Sequence, residues 1–198
     1  MSRRHRIISL IASATEILCA LGFEDQLVGR SHECDYPHSV SRLPICTSPK
    51  FNVEGTSYEI DQRVKAILQD ALSVYRVDAP LLESLQPTHI VTQSQCEVCA
   101  VSLKDVEQAV CELTSSRPVI VSLEPNALAD VWTDIKRVGA ALGADDRADK
   151  LVNRLQESMR EITEKAQALS VRPRVACIEW IDPLMAAGNW MPELVEMA

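Results

Sequence analysis

At 198 residues, 46% hydrophobic and 24% charged, the chain is long enough to bury a sizeable core and has the composition of an ordinary globular protein. Its formal net charge of −8, the lack of any basic run and an aromatic content of only 4% argue against nucleic acid or an anionic membrane surface as a partner. No stretch approaches the ~20 consecutive apolar residues that a membrane insertion needs.

Seven cysteines at irregular spacing (Cys19, Cys34, Cys46, Cys96, Cys99, Cys111 and Cys177) do not read as a secreted disulfide framework, and the setting expected from them is cytoplasmic. Arg3, Arg4 and Arg6 ahead of Ile7–Leu21 imitate an export signal. Glu16 interrupts the apolar region, however, and no small-residue cleavage site follows Leu21.

A strand–helix reading suits those residues better. Arg6–Ala12 reads as a buried strand, and Ser13-Ala14-Thr15-Glu16 has the S-x-x-E spacing of a capping box. The helix runs to Leu21, with Gly22 suited to a left-handed C′ position. Leu27–Arg30 is the next strand, which completes a βαβ unit. Pro-rich irregular chain follows from Tyr36 to Gly55. Tyr58–Leu72 has a helical apolar period, Leu81–Leu85 a short helical turn, His89–Thr92 a strand, Ser102–Leu113 a helix and Pro118–Leu123 a strand. Cys19 and Cys111 fall in helical patterns as small core hydrophobes.

Leu128, Val131, Ile135, Val138 and Leu142 then mark an amphipathic helix. Beyond Gly143, a second helix opens at Asp145-Asp146 and continues to Ser170, roughly 35–40 Å at helical rise. Arg174–Ile178 reads as a strand, 179–189 as a loop and Met191–Met197 as a helix start. The expected fold class is therefore α/β: a parallel-sheet, Rossmann-like N-terminal lobe (1–125), a long helical connector (126–172), and the start of a second, truncated α/β lobe (173–198).

Ligands of parallel α/β sheets bind beyond the carboxyl ends of the strands. That rule singles out Ser13–Glu16, Ser31-His32-Glu33-Cys34-Asp35-Tyr36-Pro37, Gln93-Ser94-Gln95-Cys96-Glu97-Val98-Cys99 and Glu179-Trp180. Cys96–Cys99 is a C-x-x-C that fits half a zinc site, a redox dithiol or chance. Continued strand alternation would turn His32 and Cys34 one way and Glu33 the other, and imidazole with thiolate suits zinc or iron. A polar loop around a buried thiol explains the same residues. Trp180 and Trp190 suit a planar ligand or an interface core equally. No nucleophile–base–carboxylate set and no phosphate-binding loop is present, so nothing in the sequence demands catalysis.

These residues carry a resemblance. Arg6–Glu16, its spacing to Leu27–Ser31 and Asp35-Tyr36-Pro37, then Leu85–Val91, the long connector, and Gly188-Asn189-Trp190 before a helix resemble the iron-siderophore/vitamin B12 class of solute-binding proteins. The loops Ser31–Pro37 and Thr92–Ala100 are similar to those of a subgroup called cobalamin-binding proteins. The resemblance implies two α/β lobes joined by a rigid helix, with a small-molecule ligand between them. It also implies handover of a corrinoid, haem or iron chelate to an ABC transporter. On this reading cobalamin or another metal complex is held by Ser13, Ala14, Thr15, Glu16, His32, Glu33, Tyr36, Gln93, Gln95, Glu179, Trp180 and Trp190. Any direct metal ligation would fall to Cys34, Cys96, Cys99 and His32. Two alternatives stand beside it: an intracellular metal-binding or thiol-dependent enzyme using the same Cys and His residues, and a fragment without a working site.

Overall fold

The computed structural model describes residues 4–70, 73–94, 101–113 and 116–198. Four parallel strands form the central sheet in the order β2-β1-β5-β6: β1 (Ile7–Ser9), β2 (Leu27–Arg30), β5 (His89–Gln93) and β6 (Val119–Leu123). Successive strand residues alternate between two apolar layers, as the period of two requires. Ile7, Val91 and Val121 pack on one face with Leu18 of α1 (Ala12–Ala20), Ile135 and Val138 of α5 (Leu128–Ala141), and Leu151 of α6 (Asp145–Gln167). Ile8 and Ile90 pack on the other with Leu82 of α3 (Ala79–Leu85) and Val106 of α4 (Leu103–Leu113). Helices on both faces of an all-parallel sheet give the expected α/β class.

The helix stop at Gly22 is a Schellman motif. Gly22 has φ +77°, its amide donates to Cys19 O at 2.9 Å, and the Phe23 amide donates to Leu18 O at 2.9 Å. Arg147 of α6 donates to Leu21 O at 2.7 Å and lies over the Phe23 ring, which ties the same corner to the connector helix.

Four expectations need correction. Ser13 is not a cap: the helix starts at Ala12 behind an extended Ile11 that offers no side-chain acceptor, so Ser13 sits one residue inside the helix with Glu16 exposed. The Pro-rich stretch is not wholly irregular. It contains β3 (Thr47–Pro49), which pairs antiparallel with β4 (Tyr75–Val77) in a ribbon apart from the main sheet. The C-terminal strand is shifted, as β7 (Ile178–Trp180) pairing antiparallel with β8 (Met185–Ala186) inside the predicted loop. Cys111 is exposed on α4 rather than in the core. The other predicted helices, α2 (Ser57–Asp70) and α7 (Met191–Met197), are in place. No described helix is long and apolar enough to cross a membrane.

His89 gives this lobe a pH dependence. The ring is buried against Ala141 of α5: Nε2 lies 3.1 Å from the Ala141 carbonyl, and so carries the proton, while Nδ1 meets Thr88 Oγ1 at 2.9 Å. Burial, and secondarily the neighbouring His5 ring, hold its pKa below the ordinary histidine value, with the Ala141 carbonyl opposing. Burial likewise lowers that of His32. The unfolded chain therefore binds more protons than the folded one between the two values, and stability must rise with pH there. The stabilisation is present above the ordinary histidine pKa of about 6.5 and is lost as the pH falls through the folded-state value. Thermal melts should show a Tm lower at pH 5.5 than at pH 7.5, with a shallower slope in His89→Gln. A variant slope equal to that of the parent would remove His89 from the account.

Candidate functional site

The chain runs from β1 out to β2 on one side, then returns to place β5 on the other side of β1. The helices that follow diverge as well: α1 packs on one face of the sheet and α4 on the other. The carboxyl ends of β1 and β5 thus flank a topological switch point, where such sheets leave a crevice. Two sequence-predicted residues stand there. Ser13 is exposed at the start of α1, and Gln93 closes β5 with only 6% of its surface accessible. The first α1 amide with a backbone acceptor is that of Thr15, which donates to Ile11 O at 3.2 Å; the amides before it lack an intrahelical partner.

The segment after β2 turns at His32 and Glu33 instead of continuing as a strand, so the expected alternation fails. Cys34 is fully buried and takes a hydrogen bond from Thr15 Oγ1 at 3.0 Å, whose oxygen also lies 2.8 Å from Ser9 Oγ. Burial pushes the Cys34 thiol up, opposed by the Thr15 bond. Such a thiol is inert rather than nucleophilic. His32 points elsewhere. Its Nδ1 meets Thr47 Oγ1 at 2.8 Å, its Nε2 lies 3.1 Å from Glu33 Oε1, and its ring packs 4.9 Å from that of Tyr75. Glu33 and Tyr36 are exposed. Beneath the turn, the Arg30 guanidinium donates to the carbonyls of Ser31, Cys34 and Ser41 at 2.9–3.1 Å and meets no carboxylate among the described residues. Among the described residues no three His, Cys, Asp or Glu side chains cluster as metal ligands; Gln95, Cys96 and Cys99 lie outside them.

From the other side, the C-terminal segment reaches the same crevice. Glu193 of α7 accepts from the Leu128 amide at 3.0 Å, at the first residue of α5, where an anion is favoured by the helix dipole. This contact holds Trp190 and Leu194 over a cavity of about 280 Å³. Its floor is Ser13, Gln93 and Leu123, and its walls include Val131, Trp132 and Met159. Trp180 goes elsewhere: its indole N–H donates to Asp182 O at 2.9 Å and reaches Ser57 O at 3.3 Å. Of the predicted ligand residues, Ser13, Gln93 and Trp190 meet in this cavity. Ala14 and Thr15 are buried behind it, and His32, Glu33, Tyr36, Glu179 and Trp180 are not in its lining.

Sequence reasoning missed Trp132 and Asp134. Asp134 also lines the cavity, pairs with Arg137 and accepts from the Glu124 amide at 3.1 Å. Burial raises its pKa, opposed by Arg137. A Trp beside the predicted α5 stripe, rather than on it, was the available signal that this helix buries a second face.

The sequence profile of the family described as periplasmic binding protein matches residues 7–198. The chain is 26% identical over 166 residues to an uncharacterized ABC transporter substrate-binding lipoprotein, YvrC, of Bacillus subtilis (strain 168), covering 83% of this chain and 43% of that protein. Among solved structures, a possible iron-binding (periplasmic solute-binding) protein from Staphylococcus epidermidis superposes with a TM-score of 0.66 at 19% identity, covering 98% of this chain and 66% of the other. The periplasmic heme-binding protein RhuT from Roseiflexus sp. RS-1 gives a TM-score of 0.60 at 21% identity, covering 88% and 54%. The chain thus spans less than half of its curated relative and somewhat over half of these solved structures.

Proposed function

The chain belongs to the periplasmic binding protein family, and from that premise we propose that it binds a small-molecule metal complex, a corrinoid first among them, at the crevice between the carboxyl edge of its sheet and its C-terminal segment. The observation that carries this reading is the cavity at the switch point, where Ser13 and Gln93 from the sheet side face Trp190 from the other. Mostly apolar walls with a few polar groups are the usual make-up of a small-molecule site. The solved relatives named for iron or heme binding support a metal complex as the ligand class. The Bacillus relative supports an ABC transporter as the partner. A cavity of about 280 Å³ does not enclose a whole macrocycle, so the complex would enter it with one edge or arm. The thiol-enzyme alternative gains nothing from Cys34, which is sealed behind Thr15.

The test is a titration of the 198-residue protein with cyanocobalamin, haem and a ferric siderophore, followed by visible spectra and tryptophan fluorescence. Saturable binding of one of them in the micromolar range, weakened about tenfold or more in Trp190→Ala, is the expected outcome. No saturation with any of the three up to roughly 100 μM would end the proposal.

A further inference from the structure

The charge character of the cavity determines which polar arm a ligand can place there; this inference rests on the ligand-binding reading above and deepens it. Gln93 is 6% accessible and lines the cavity together with Ser13, and among the described residues no hydrogen bond holds its side chain. Its carboxamide is not among the sealed, unpartnered polar atoms, so the little surface it keeps is wetted and a ligand group in the cavity can take the place of that water. The first-turn amides of α1, at the same corner, likewise lack intrahelical acceptors.

Those donors alone would suit a carboxylate. The surroundings do not. Among the described residues no Lys, Arg or His lines the cavity, and the one charged side chain that does is Asp134, whose charge Arg137 already balances. Two more carboxylates stand on the adjoining elements: Glu124, accepting from Ser94 Oγ at 2.7 Å, and Glu193, accepting from the Leu128 amide. A carboxylate entering here would shed water without meeting a counter-charge, against like charges on three elements.

A neutral primary amide meets none of that cost. Its oxygen can accept from Ser13, the α1 amides or Gln93 Nε2, and its NH₂ can donate to Gln93 Oε1. Trp132 and Trp190 then cover an apolar body. We propose that Gln93, with Ser13, is the specificity-determining residue of this cavity, admitting a neutral carboxamide arm on an apolar body and rejecting the matching carboxylate.

The test uses 1-naphthylacetamide and 1-naphthylacetate, which differ in that group alone, with quenching of tryptophan fluorescence in the 198-residue protein as the readout. The amide should bind at least about tenfold more tightly than the acid. Gln93→Lys, which supplies the missing cation, should reverse the preference. Gln93→Leu, close in size and without polar atoms, should abolish it and covers the case in which the lysine variant does not fold. Equal or tighter binding of the acid by the parent protein would overturn the proposal, as would no quenching by either probe or an unchanged ratio in the folded variants. Neither probe is a metal complex, so failure of the corrinoid, haem and siderophore titration leaves this comparison standing.

Discussion

Replacing Arg30 by alanine is expected to cost about 2–4 kcal/mol of stability, a drop in Tm of roughly 5–15 °C. Arg30 ends β2 and is 9% exposed. Its guanidinium spans three carbonyls of the loop that follows (Ser31, Cys34 and Ser41), and its Nε has no partner among the described residues. A buried cation held only by carbonyl dipoles is itself costly, which places the figure below the sum of three charged hydrogen bonds. Truncation takes the donor away from the carbonyls of Ser31 and Cys34, both buried residues, and from that of the half-buried Ser41. Arg30→Lys should fall between, because one ammonium cannot reproduce the geometry of the guanidinium fork. Circular-dichroism melts of the two variants decide it: an alanine variant melting within about 2 °C of the parent would show that the carbonyls find other partners.

Gly139→Val should be comparably damaging, at about 3 kcal/mol, for a reason that lies in helix packing. A side-chain carbon at 139 would stand 2.5 Å from Ala148 Cβ and 3.3 Å from the Ala144 carbonyl, far inside contact distance. The backbones of α5 and α6 can meet there only because residue 139 has no side chain. Forcing them apart loosens Ile135, Val138, Leu142, Leu151 and Val152, which pack in one layer. Gly139→Ala separates the causes cleanly. Helix propensity alone predicts that alanine stabilises α5 by about 1 kcal/mol, whereas the crossing predicts a loss. Denaturant midpoints that rise in the alanine variant would refute the packing argument.

The helices were legible because each has an apolar period that burial on one face enforces: Leu128, Val131, Ile135, Val138 and Leu142 mark α5 to within a residue. The S-x-x-E at 13–16 misled because a capping box depends on where the chain enters the helix. Leu10 donates to Val91 O at 2.8 Å, which extends the β1 pairing and places the entry at Ile11, before any residue with a capping oxygen. The β3–β4 ribbon joins residues nearly thirty positions apart, and no local pattern encodes such a pairing. The site was half readable. Gln93 and Ser13 follow from the strand-end rule, since both close or follow central strands. His32 and Cys34 diverge because Arg30 gathers the carbonyls around them and turns the chain, a tertiary cause invisible in their spacing. Trp132 and Asp134 were hidden by belonging to a helix whose main stripe already explained it.

The turn after β2 is sutured at its neck as well as beneath. The Arg30 amide donates to Pro44 O at 2.9 Å and the Cys46 amide donates back to Arg30 O at 2.7 Å, so residues 31–45 leave the sheet and return to it at one point. Loop-closure entropy for this excursion is therefore already spent in folding. A molecule docking on His32 or Glu33 would not have to order fifteen residues first, and its dissociation rate would reflect the contacts it makes rather than the mobility of the surface that makes them.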